Sequence, residues 1–177
     1  GVHDVRMAAE AAQRGKVLTT SELLEIASLA RAAIRLRRTL NRLHQEAPLL
    51  ATIGTGIPEL EPLRNLISTS INERGEVLNS ASSELATIRI EITSIHDRLQ
   101  KRMEKLLHSS VLRPALQDPI VTIRDGRYVL PVRADARSAV PGVVHDSSSS
   151  GATIYVEPLA VIDLGNRWRE LQSQERH

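Results

Sequence analysis

A chain of 177 residues, 41% apolar and 25% charged, suffices for one folded domain or slightly more at ~150 residues each; no eighteen-residue apolar run or signal-like amino terminus is present, which points to the cytoplasm. The absence of Cys excludes disulfides, thiolate zinc and thiol nucleophiles, and with Trp168, Tyr128 and Tyr155 as the whole aromatic set the core must be aliphatic and single-strand stacking platforms are nearly excluded. A net charge of +2 beside a pI of 9.4 reflects Arg-rich basicity with little titrating in between, so only local charge clusters argue for a polyanion partner.

In chain order, residues 2–47 read as two helices around Arg14-Gly15-Lys16, where Gly15 suits a left-handed C-cap. Thr19 and Glu22 are the two ends of a capping box for the second helix. In that helix Leu29, Ala33, Leu36, Leu40 and Leu43 recur on one face, with Arg31, Arg35, Arg38 and Arg42 opposite. Gly54, Gly56, Pro58 and Pro62 predict a loop over 48–62 with room for one short helical turn. A brief helix over Leu63 to Ser70 and a break at Asn72-Glu73-Arg74-Gly75 follow.

Asn79 or Ser80 is expected to cap the next helix, whose stripe of Leu85, Ile88, Ile92, Ile95, Leu99, Met103 and Leu106 is the strongest periodic signal in the chain. Ended by Pro114, it would run about 30 residues, or roughly 45 Å. A helix that long with a narrow seam needs a long partner, as in a coiled-coil-like arm.

The period then becomes strand-like. Ile120 to Ile123 and Tyr128 to Val132 flank Arg124-Asp125-Gly126-Arg127, a two-residue hairpin signal. Gly142 to His145 and Ala152 to Val156 flank a loop over Asp146 to Gly151. Pro158 is placed at the first position of a last helix with Val161, Leu164, Trp168 and Leu171 as its buried stripe. That helix is expected to pack back along the 80–112 helix, with Leu99 facing residues shortly after His177. It is still in pattern at His177 and the chain starts with Gly, so a piece of something larger is expected. The fold class is therefore mainly α with a small antiparallel β-meander: a helical core segment over 1–78, a long lever helix over 79–113, a β-hairpin subdomain over 119–157 and the start of a return helix over 158–177.

The candidate chemistry is sparse. Gly15-Lys16 is followed by Val17 and preceded by helix, so the phosphate-cradling P-loop pattern fails on both sides. His145-Asp146 beside Ser147 to Ser150 holds the residue types of a hydrolase triad, but four adjacent Ser and a Gly are the chemistry of a hairpin loop. His3-Asp4 and His96-Asp97 lack a second His at one-turn spacing, and His96 reads as a solvated flank rather than a metal ligand. The Arg31, Arg35, Arg38, Arg42 stripe spans roughly 16 Å of helix and can pair with phosphates, or it is a solvated face answered by acidic neighbours. The same two readings hold for Arg124, Arg127, Arg133 and Arg137 on the hairpins.

Thr122-Ile123-Arg124-Asp125-Gly126-Arg127-Tyr128-Val129-Leu130-Pro131-Val132, followed by Gly142 through His145-Asp146, Ser148, Ser150-Gly151, Thr153 and Glu157-Pro158, resembles the second bacterial MutS family, the MutS-II proteins. That family reads roughly T-x-R-x-G-R-Y-V-x-P-V, then G-x-x-H-D-x-S-x-S-G-x-T-x-x-x-E-P and a helix beginning near L-x-N, matched by Leu164-Gly165-Asn166. Ser82-Ser83-Glu84-Leu85 through Ile88-Arg89 is similar to its A-S-x-x-L-x-x-I-R helix, and Asp4-Val5-Arg6 with Leu18 and Glu22-Leu23 to its amino-terminal helices. The resemblance implies a MutS core-like, non-catalytic core and lever region preceding an ATPase. In the parent it implies ATP and Mg, a homodimer, and usually a small Smr nuclease domain. It also implies action on branched DNA, suppressing homologous recombination, or on stalled ribosomes and their rRNA. No catalytic, cofactor-binding or metal residue falls in this stretch. The alternative is a self-contained helical module that dimerises through its coiled-coil seam without binding nucleic acid.

Overall fold

The computed structural model describes residues 3–176. Helix α1, Arg6–Gln13, ends on Gly15 with φ +82°, where the Lys16 N–H bonds the Ala11 carbonyl and the Gly15 N–H that of Ala12. These two bonds satisfy carbonyls that the helix end would leave orphaned, and Gly meets the left-handed turn without a Cβ clash. Helix α2, Thr20–Arg42, opens on the expected capping box: the Glu22 N–H donates to Thr19 Oγ1 and the Thr19 N–H to Glu22 Oε2 at 2.7 Å. The Thr19 N–H and the Thr19 hydroxyl, both donating to Oε2, hold the Glu22 carboxyl below its usual range. Because the folded value is lowered, the contribution is complete above the ordinary carboxylate range and is lost as pH falls through the lowered value. Thr19→Ala is expected to cost about 1 kcal/mol in urea melts at neutral pH, and to weaken this acid-side dependence.

The buried line of α2 is Ala27, Ala30 and Ile34. This corrects the expected face: Leu29, Ala33, Leu40 and Leu43 are only half-buried and Leu36 is 52% exposed. The cause is the neighbours. Helices α3, Pro48–Thr55, and α4, Glu61–Ser70, pack on α2, and its small side chains let them approach closely. Residues 48–55 thus form two helical turns where a loop was expected. Pro48 is preset for a first turn, and Gly54 is a packing position: a Cβ there would lie 2.8 Å from Leu40 Cβ and Asn41 Oδ1. Ala27, Ile67 and Ile71 form a small core with Leu23, Leu24 and Ile26 against it.

Helix α5 spans Ser83–Leu107, 25 residues, or roughly 37 Å, rather than the 79–113 expected. Asn79–Ala81 is a short 3-10 turn, and Ser82 is the cap, its Oγ accepting from the Leu85 N–H at 2.9 Å. The helix stops before Pro114 because Leu106, Leu107 and Leu112 all pack on one core. A continuous helix would point Leu107 and Leu112 roughly 140° apart.

Four antiparallel strands follow: β1 Thr122–Arg124, β2 Arg127–Arg133, β3 Gly142–Ser147 and β4 Thr153–Pro158. Asp125 and Gly126, with φ +48° and +71°, make the two-residue turn between β1 and β2. The spatial order is β1-β2-β4-β3, so β4 returns between β2 and β3 and the two inner strands hold the buried Val129, Leu130, Val132 and Val156. A 3-10 segment, Ala134–Ala139, carries the chain from β2 out to the β3 edge. Helix α6, Leu159–Glu175, starts directly after β4; Pro158 is the last strand residue and the cap rather than the first helical residue. Val161, Gly165 and Leu171 are its buried positions, while Leu164 and Trp168 are half-buried.

The chain divides into two compact units, one up to Leu85 and one from Ala86 on. The core of the second is aliphatic, as the composition requires: Leu99 and Met103 from α5, Leu116, Leu130, Val132, Val140, Val156 and Val161. Among the described residues no helix is long and apolar enough to cross a membrane.

Candidate nucleic-acid interface

The two sets of candidate arginines meet different fates. On α2, Arg31, Arg35, Arg38 and Arg42 are all exposed. Arg38 Nη2 reaches Glu61 Oε1 at 3.3 Å. Among the described residues Arg31, Arg35 and Arg42 have no ion pair. The local composition explains why: residues 27–58 contain five Arg and one Glu. A groove of about 620 Å³ is lined by Arg35, Arg38, Thr39, Asn41 and Arg42, side chains that donate hydrogen bonds, with no carboxylate among them. The same unit holds no Trp, Tyr or Phe, since the first aromatic is Tyr128.

The hairpin arginines are engaged within the fold. Arg124 Nε pairs with Asp146 Oδ2 at 3.1 Å, and its guanidinium lies 4.1 Å over the Tyr155 ring. Arg137 donates to the carbonyls of Val140 and Gly142 at 2.8 and 2.7 Å. Arg133 pairs with Asp135, which holds that carboxyl below its usual range. Arg127 Nη1 donates to Glu157 Oε1 at 3.2 Å and to Asn166 Oδ1 at 2.7 Å.

Arg127 leads to a cluster that the sequence reading did not single out. Glu157 is 3% exposed, and its second oxygen accepts from His145 Nε2 at 2.7 Å. Its signal in the chain was weak, a lone Glu before Pro, because its partners stand 30 and 12 residues away. His145 reaches it from the register shift between Val144 and Asp146, where a bulge re-aims the side chain. The adjacent serines form a turn of their own, with Ser148 Oγ accepting from the Thr153 N–H at 3.1 Å, and no described serine bonds the His145 ring. Tyr128 OH is hydrogen-bonded to His96 Nε2 at 2.6 Å, and His96 stacks on Trp168 at 5.2 Å. This corrects the solvated-flank reading of His96. Burial pushes the Tyr128 hydroxyl above its usual range.

Helix α6 does run back along α5, tied by Arg89 to Glu175 at 2.7 Å and Arg167 to Glu91 at 3.0 Å. The register differs from the expected one. Leu99 shares its core with Val161 and Leu164, near the start of α6, while Glu175 at its end pairs with Arg89. Among the described residues no three His, Cys, Asp or Glu side chains converge as metal ligands.

No protein-family model matches the chain. Sequence comparison finds relatives named Endonuclease MutS2: the protein of Thermomicrobium roseum is 46% identical over 178 residues, that of Shouchella clausii 39% over 180 and that of Symbiobacterium thermophilum 38% over 175. Each match covers 99% of this chain but only 22% or 23% of the relative's own length. The hairpin motifs, the L-G-N start of α6 and these end-to-end matches agree: the chain is a segment belonging to the MutS2 family.

Proposed function

We propose that this segment is a non-catalytic core and lever region of a MutS2-type ATPase and endonuclease, and that it contacts the phosphate backbone of a nucleic acid through the exposed Arg face of α2. The observation that carries the reading is that Arg31, Arg35 and Arg42 stand exposed and unanswered by acid among the described residues, whereas Arg127 and Arg133 are paired with Glu157 and Asp135 and Arg137 is bonded to backbone carbonyls. With no aromatic side chain in that unit to stack on bases, the contact is to backbone rather than sequence. The lever role is supported by the antiparallel α5–α6 pair rooted on the sheet, not by the Leu99 register first expected. In this reading ATP and Mg belong to other parts of the parent protein, and Gly15-Lys16 serves to close helix α1. A homodimeric parent acting on branched DNA or on stalled ribosomes fits the family. A self-contained module that dimerises through the α5 seam has less support, because Leu99 and Met103 of that seam are buried in the chain's own core.

The test is fluorescence anisotropy of the chain with duplex DNA, a four-way junction, an rRNA hairpin and a single strand, from 50 to 200 mM salt. Three phosphate contacts predict a slope of log K against log salt of roughly −2.7 on duplex. DNA and rRNA arms separate the two partners. Affinity independent of salt would remove the phosphate contact.

A further inference from the structure

Glu157 is a buried carboxylate that neither the Arg face nor the aliphatic core requires. Two glycines bracket it. A Cβ on Gly142, in edge strand β3, would fall 2.1 Å from the Glu157 carbonyl oxygen, and a Cβ on Gly165, in α6, would fall 2.9 Å from Glu157 Oε1. The backbones of β3 and α6 thus close on this residue from two sides. Its side chain completes the connection, with Oε2 held by His145 of β3 and Oε1 by Arg127 of β2, which also holds Asn166 of α6. Since α6 follows β4 without a loop, any swing of the helix moves Gly165 and Asn166 against this cluster.

We propose that Glu157, with Arg127, His145, Asn166 and Gly165, is a coupling joint through which the edge strand β3 sets the direction and rigidity of α6. The physical basis is the cost of leaving part of the cluster unsatisfied. A buried carboxylate that loses one donor keeps its desolvation cost, so its bonds to His145 and Arg127, and through Arg127 the bond to Asn166, are energetically linked. The path runs from His145 to Glu157, to Arg127 and to Asn166. His145 bonds Glu157, and no described hydrogen bond joins it to α6. A second route to the same helix passes from Tyr128, next to Arg127, through His96 to the face of Trp168. This inference does not depend on nucleic-acid contact.

Hydrogen exchange read by mass spectrometry on the whole chain tests the joint, with emission from Trp168, its single Trp, as a second readout. His145→Ala is expected to speed exchange in residues 159–170 by about tenfold, the size that losing one charge-assisted bond gives, and to shift Trp168 emission. His145→Gln, which keeps a donor for Glu157, is expected to restore both. Coupling is reciprocal, so Asn166→Ala, at an exposed position, is expected to speed exchange in residues 143–147. It decides the matter should His145→Ala fail to fold. The joint is overturned if His145→Ala loosens β3 and β4 while α6 keeps its protection. It is equally overturned if Asn166→Ala leaves β3 unchanged.

Discussion

Replacing Arg127 by Met is expected to lower the stability of the second unit by about 3 kcal/mol. Removing one partner of a buried ion pair leaves the other charge uncompensated, typically at ~3–5 kcal/mol. The lower end applies because the Arg127 side chain is 18% exposed and its loss admits some water, although the Glu157 side chain is only 4% exposed. Asn166 loses its donor in the same change. Urea denaturation followed by far-UV circular dichroism measures the loss, and the double variant Arg127→Met with Glu157→Met is expected to recover most of it, since a matched apolar pair carries no buried charge. A loss below about 0.5 kcal/mol, the scale of an ordinary surface change, would mean that Arg127 is one more solvated arginine and belongs with the candidates for nucleic-acid contact.

The opposite signature is expected on α2. Changing Arg31, Arg35 and Arg42 together to Gln should weaken duplex binding on the order of 100-fold at low salt and flatten the salt slope by roughly 2.7. Stability should move by no more than about 0.5 kcal/mol, because all three side chains are exposed and without ion pairs among the described residues. Arg133→Gln serves as the control: its guanidinium is taken by Asp135, so binding should change little. Full retention of affinity by the triple variant would leave the face as solvated charge and move the search for a nucleic-acid contact elsewhere in the protein. The pair of experiments therefore separates arginines that hold the fold from arginines that face outward, a distinction that charge patterning alone does not draw.

The relation of sequence to structure divides along the same line. The Thr19–Glu22 capping box, the Gly15 helix end, the Asp125-Gly126 turn and the long aliphatic stripe of α5 were all legible because each depends on residues a few positions apart. Caps, left-handed glycines and two-residue turns are local energetics, and so is a 3.6-residue period. The motif resemblance reached the family by the same short windows, since its quoted residues lie mostly in two hairpins and one helix start. The Arg face of α2 also came from a period, and the structure keeps it exposed.

Local pattern carried the class of elements the chain builds, the capped start of α2, the tight turn between β1 and β2 and which side chains share a helix face. Which face is buried is set by packing, since Ala27, Ala30 and Ile34 take the inner line of α2, against which α3 and α4 pack, ahead of the larger leucines. The tertiary structure also decided that Gly54 packs rather than breaks, that α5 turns at Leu107 so that Leu112 can reach the same core, and that β4 lies between β2 and β3. Above all, it decided the fate of Arg127 and His145, two polar residues of surface type that meet a buried glutamate 30 and 12 residues further along. Such partnerships follow from how distant segments pack, and no local propensity carries that information.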